Sequence, residues 1–144
     1  MSRRKSNKGL CVAHGLLFGY DLAVAQWAFN EFRISPLPVA AAIGIVRENN
    51  LVGAILFQDF NGYNVEFSYY GPATPSWGIS KAIARYALER FNAYRLTTRT
   101  NRKNASVMSM LSRMGFKMEG VQRQYYGPFG DAALFVLFRE QLVR

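Results

Sequence analysis

The feature that most constrains this chain is a pair of short polar turns inside an apolar stretch. Glu48-Asn49-Asn50 and Asn61-Gly62 cut the segment from Val39 to Tyr70 into three runs of strand length. These are Val39 to Arg47, Leu51 to Phe60 and Tyr63 to Tyr70. Turns this short return the chain on itself, so the three runs are expected to pair as consecutive antiparallel strands.

The flanking segments switch to helical spacing. Asp21 stands at an expected N-cap before Leu22, Val24, Ala25, Ala28, Phe29 and Phe32, and Ser35-Pro36-Leu37-Pro38 closes that helix. Ser76 is expected to cap a second helix with Ile79, Ala82, Ile83, Tyr86, Ala87 and Phe91 inward. A third runs from Asn104 to Met114 and stops at Gly115. Leu10 to Phe18, Ala93 to Thr100, Phe116 to Tyr126 and Ala132 to Arg139 complete the strands. The strand after the second helix is expected to lie parallel to its predecessor. The order is β-α-β-β-β-α-β-α-β-β. This is an α+β domain with a mixed, mostly antiparallel sheet, without helix-turn-helix or RRM topology.

The 144 residues fit one domain, read as residues 10–144 behind a basic, flexible tail of residues 1–9. No apolar run approaches the ~18 residues that a membrane-spanning helix needs, and no signal-peptide pattern follows the tail. The expectation is a cytoplasmic protein. The single Cys11 excludes an internal disulfide, and with the single His14 it excludes multi-cysteine and two-histidine metal sites. The net charge of +9 favours polyanionic partners in general. Nucleic acid ranks last among them, because no exposed aromatic platform interleaves the basic residues.

The order and several ordered motifs resemble the GNAT acetyltransferase superfamily over Phe18 to Arg139. The most specific stretch is Asn104 opening a helix, Gly115-Phe116 closing it, then Glu119-Gly120 and Arg123. Ala42-Ile43-Gly44, Val52-Gly53, Gln58-Asp59-Phe60 and Val65 to Ser68 resemble short GNAT-like proteins of phages and proteobacteria.

This resemblance implies an acetyl-CoA-dependent N-acyltransferase acting on an amine, on a protein or another macromolecule. The alternative is a weakly active or inactive relative that binds and modulates a host protein. A homodimer is compatible with either. The fourth strand (Ser68, Tyr69, Tyr70) would pair with the pantetheine arm of acetyl-CoA or CoA. The following loop and helix start (Trp77, Gly78, Ile79, Ser80, Lys81) would hold the pyrophosphate, with Lys81 or the Arg95–Arg99 group supplying charge. Asn104 would touch the coenzyme, or serve only as a cap. Glu66 would be the general base, or else a solvent-facing strand residue. The chain departs from the family at Pro75, which replaces a charged or amide residue of the loop. It departs again at Leu111, where the family carries its acid tyrosine; Tyr125 and Tyr126, or else Ser109 or Ser112, are the candidate substitutes. Arg123 is expected to pair with Glu119 or to line the acceptor cleft.

Overall fold

The computed structural model describes residues 15–71 and 77–142. The basic tail, Cys11, His14, the start of the expected first strand, Pro75 and Ser76 lie outside the described residues. The strands are β1 (Gly15–Leu17), β2 (Ala41–Arg47), β3 (Asn50–Gln58), β4 (Asn64–Tyr70), β5 (Arg95–Asn101), β6 (Lys117–Gln122) and β7 (Ala132–Phe138). The helices are α1 (Asp21–Glu31), α2 (Trp77–Phe91), α3 (Ala105–Arg113) and α4 (Arg139–Leu142). They form a mixed α+β architecture on a seven-stranded, mostly antiparallel sheet in the order β1-β2-β3-β4-β5-β7-β6. The expected β4–β5 pairing is parallel. Among the described residues, no helix is long and apolar enough to cross a membrane.

The chain divides into two compact units. The first comprises Met1–Leu56 and Tyr69–Ala73. Its core gathers Val24, Ala25 and Ala28 of α1 with Ala42, Ala54 and Leu56. Leu22 faces solvent instead of joining that stripe, at 76% exposure. Asp21 is the first helical residue rather than the cap. Tyr20 occupies the cap position without a side-chain bond, and the Asp21 carboxylate sits where the helix dipole favours negative charge. The β2–β3 turn places Glu48 and Asn49 at φ 52° and 67°. Both values are left-handed, the geometry a two-residue hairpin needs to match strand twist.

The second unit comprises Phe57–Ser68 and Thr74–Arg144. α2 buries Ile83, Ala84, Ala87, Leu88 and Phe91. Ala82 is exposed, because the buried stripe lies one residue further round the helix. Phe57 is fully buried and meets Phe67, Tyr86 and Phe91 at centroid separations of 6.4, 6.0 and 6.0 Å, within aromatic contact range. Phe116 packs on Phe67 at 6.2 Å. α3 ends as expected: Gly115 takes φ +99°, and the Phe116 N–H donates to the Leu111 carbonyl at 3.0 Å.

Two boundaries differ from the sequence expectation. β6 stops at Gln122, so Tyr125 and Tyr126 sit in the β6–β7 loop and not on a strand. Gln124, at φ 60°, turns the chain there. The short α4 was not expected. Its Arg139 guanidinium donates to the Ala93 carbonyl at 2.9 Å and to Asn92, and Gln141 donates to the Gly115 carbonyl at 3.0 Å.

Candidate functional site

β4 alternates polar and apolar residues. Asn64, Glu66 and Ser68 point to one sheet face, and Val65 and Phe67 to the other. The parallel ladder to β5 joins Asn64↔Arg95, Val65↔Leu96 and Glu66↔Thr97 and ends there, although β4 runs on to Tyr70 and β5 to Asn101. Beyond that point a side chain replaces the ladder: the Thr98 hydroxyl donates to the Phe67 carbonyl at 3.0 Å. β5 stays fully paired with β7 from Arg95 to Asn101. The two parallel strands therefore share a short ladder and then part.

The register puts Arg95, Thr97 and Arg99 on the face that carries Glu66. Two polar rows result. In the first, Asn64 donates to Thr97 at 3.1 Å and accepts from the Arg95 Nε at 3.0 Å. Arg95 then forks onto Glu119 at 2.6 and 2.9 Å. In the second, the Arg99 guanidinium pairs with the Glu66 carboxylate, donates to Gln122 at 2.6 Å, and lies 5.0 Å over the Tyr125 ring. Tyr126 meets Tyr125 edge-on at 5.1 Å.

Glu66 is only 7% exposed, so it is not a solvent-facing strand residue. A carboxylate at that depth needs a partner, and Arg99 supplies it. Burial pushes the Arg99 pKa down, but the hydrogen bond and charge of Glu66 outweigh it, and the guanidinium is held above its ordinary value. The side-chain hydrogen bond from Arg95 holds the Glu119 carboxyl below its usual range. Burial pushes the Tyr69 phenol up. Glu119 is thus engaged by Arg95 rather than by Arg123. Arg95 and Arg99 are both engaged with carboxylates.

The other candidate residues fall as follows. Gly78 is exposed, and a Cβ built there meets open space. Ser80, in the first turn of α2, is 4% exposed, and its hydroxyl has no hydrogen-bond partner. Trp77 and Ile79 begin the same turn, and Lys81 is exposed. An orphaned hydroxyl in the first turn of a helix, where N–H groups have no intrahelical partner, fits a phosphate ester. Ser68 accepts from Gln58 at 3.0 Å, and the Gln58 carbonyl oxygen is buried without a partner. Tyr70 packs against the first unit's core and meets Phe32 at 5.6 Å. Asn104 caps α3 by accepting from Val107 at 3.3 Å. Leu111, at the family's acid position, is buried. Tyr125 and Tyr126 are 52% and 48% exposed. Gln122 and the organising role of Arg99 were missed in the sequence. The signal was the equal parity of Arg95, Thr97 and Arg99, readable only once the β4–β5 register is known.

The sequence matches no protein-family model. It matches no curated protein either. Solved structures do resemble it. A GNAT-family acetyltransferase from Bacillus anthracis superposes with a TM-score of 0.58 at 16% identity, covering 69% of this chain and 66% of that one. A dodecameric spermidine N-acetyltransferase from Vibrio cholerae reaches a TM-score of 0.72 at 11% identity, covering 93% and 98%. The Campylobacter jejuni N-acetyltransferase PseH, solved with acetyl coenzyme A, reaches 0.54 at 17% identity, covering 68% and 67%. The chain spans 66%, 62%, 59% and 63% of the lengths of the first four acetyltransferase structures it resembles. These superpositions show that this chain has the fold of the GNAT acetyltransferase superfamily.

Proposed function

We propose that the protein is an acetyl-CoA-dependent N-acetyltransferase. The observation that carries the reading is the parallel β4–β5 pair whose ladder ends at Glu66↔Thr97. Strand edges left open in this way can take an extended ligand as an added strand. When bound, acetyl-CoA supplies an activated acetyl thioester. Gly78, Ser80 and Lys81 hold its phosphates, with the orphaned Ser80 hydroxyl gaining the bond it lacks. Ser68 would border the pantetheine arm, and the buried Gln58 side-chain oxygen could accept an amide N–H from it. Glu66 Oε1 takes a proton from the acceptor ammonium through water, while Arg99 fixes Oε2. Tyr125, with Tyr126 beside it, would be the proton donor to a departing thiolate. The acceptor is an amine. Spermidine is the acceptor named for the Vibrio cholerae neighbours, and one of them is dodecameric. A homo-oligomer is part of this proposal.

A second reading is a scaffold that binds acetyl-CoA or a protein without turnover. It is favoured by the buried Leu111 at the acid position and by the Glu66–Arg99 pair, which occupies one carboxylate oxygen.

Calorimetric titration of acetyl-CoA decides first. Binding by the wild type and its loss in Gly78→Asp are expected, because a carboxylate at the helix start repels phosphate. No heat from the wild type at millimolar ligand sinks both acetyl-CoA readings. Binding without release of free CoA in the presence of amines selects the second.

A further inference from the structure

Two loops of the second unit meet at the carboxyl end of β5. The chain leaves β5 through Arg102 and Lys103 and enters the Asn104 cap of α3. The β6–β7 loop folds against this turn, and the Arg102 N–H donates to the Asp131 carbonyl at 2.9 Å. That loop is internally braced. Tyr126 donates to the Gly130 carbonyl at 2.8 Å, Gly130 to Gly127 at 3.1 Å, and the Gln124 N–H to the Asp131 carboxylate at 2.9 Å. Between the loops lies a cleft of about 410 Å³ lined by Arg102, Lys103, Pro128, Phe129 and Asp131. Its size falls in the range of small-molecule sites.

The chemistry of the cleft is specific. Two cations and one carboxylate give it a net positive charge, and a backbone N–H already occupies one oxygen of that carboxylate. Phe129 is 85% exposed at its wall, next to Pro128. A cationic rim beside a bare ring complements an anion joined to a flat apolar group. It repels a polycation. The same loop carries Tyr125 over Arg99. Arg99 in turn pairs with Glu66, so one loop borders both the cleft and the Glu66 row.

We propose that this cleft binds an acidic aromatic group, a phosphate or carboxylate on a ring. Its occupant is the far end of the acceptor, whose amine lies at Glu66. The identity of the occupant rests on the acetyltransferase reading; the ligand chemistry of the cleft does not.

The test is a titration of the full chain followed by nitrogen-resolved NMR, with phenyl phosphate and benzylammonium as ring probes of opposite charge. Phenyl phosphate is expected to move the amide signals of Arg102, Lys103 and Phe129, and benzylammonium to leave them. Arg102→Gln with Lys103→Gln should weaken phenyl phosphate at least about tenfold while the remaining signals stay in place. Phe129→Ala should weaken it severalfold. Equal response to both probes, or none at millimolar ligand, overturns the site. Displacement of phenyl phosphate by coenzyme A overturns the assignment to the acceptor and gives the anion to the cofactor. In turnover, O-phosphotyramine, which joins an amine to a ring phosphate, should be acetylated at least about tenfold more efficiently than tyramine. Equal or reversed preference overturns the acceptor assignment. Acetyl-CoA that leaves the Gly78 and Ser80 signals unmoved sinks the transferase reading alone, and the phenyl phosphate result still decides the cleft.

Discussion

Glu66 and Arg99 hold each other in place, and neither tolerates loss of the other. Removing one partner of a buried pair leaves an uncompensated charge, at a cost of about 3 kcal/mol. Arg99→Met should therefore lower unfolding free energy by about that amount in urea titration. Combining it with Glu66→Gln should restore part of the loss, and a double-mutant cycle without coupling would refute the pairing. The Arg95–Glu119 fork behaves differently because it is more exposed, with side chains 31% and 36% accessible. Glu119 titrates below its ordinary value in the folded state. Its contribution is thus present above the ordinary carboxylate range and is lost as pH falls through the depressed folded value. Glu119→Gln should flatten the acid limb of stability against pH by well under about 1 kcal/mol.

Single elements are shaped by how closely their backbones approach. Gly53 of β3 stands against Tyr70: a Cβ there would lie 2.8 Å from the Tyr70 carbonyl oxygen. Gly44 of β2 would instead meet the tip of Leu51 at 2.7 Å. A carbonyl in a sheet cannot step aside, whereas a leucine methyl can rotate. Gly53→Ala should cost about 1–3 kcal/mol, and Gly44→Ala clearly less, in parallel denaturant titrations. A reversed order would mean that β4 yields where it meets β3.

At the scale of the whole molecule, the proposed coenzyme would bond the Ser80 hydroxyl, which is buried without a partner among the described residues. Acetyl-CoA at about a hundred times its Kd should raise unfolding free energy by about 2.7 kcal/mol and Tm by several degrees. Ser80→Val should keep the resting stability and lose most of that ligand-dependent rise in a thermal scan. The net charge of +9 makes attraction of acidic ligands strongest at low salt, so the gain should shrink as ionic strength rises.

The sequence alone determined the order and type of the elements from β1 to β7. Asn61-Gly62, the helical spacing of Ile83, Ala87 and Phe91, and the Asn104 and Gly115 ends of α3 are local signals, decided by backbone conformations that neighbouring residues dictate. Glu66 and Ser80 could be named as candidates through the family resemblance, and Tyr125 and Tyr126 as substitutes for the acid missing at Leu111. The sequence could not give their surroundings. That Glu66 is buried against Arg99, that Arg95 takes Glu119 before Arg123 can, and that Tyr125 reaches Arg99 from a loop all follow from strand register. Register joins residues more than twenty positions apart. α4 belongs with them: four residues form no stable helix alone, and it exists because Arg139 and Gln141 bond to carbonyls at Ala93 and Gly115. Local conformation is set by adjacent residues, whereas ion pairs and orphaned donors depend on which distant strands are brought side by side.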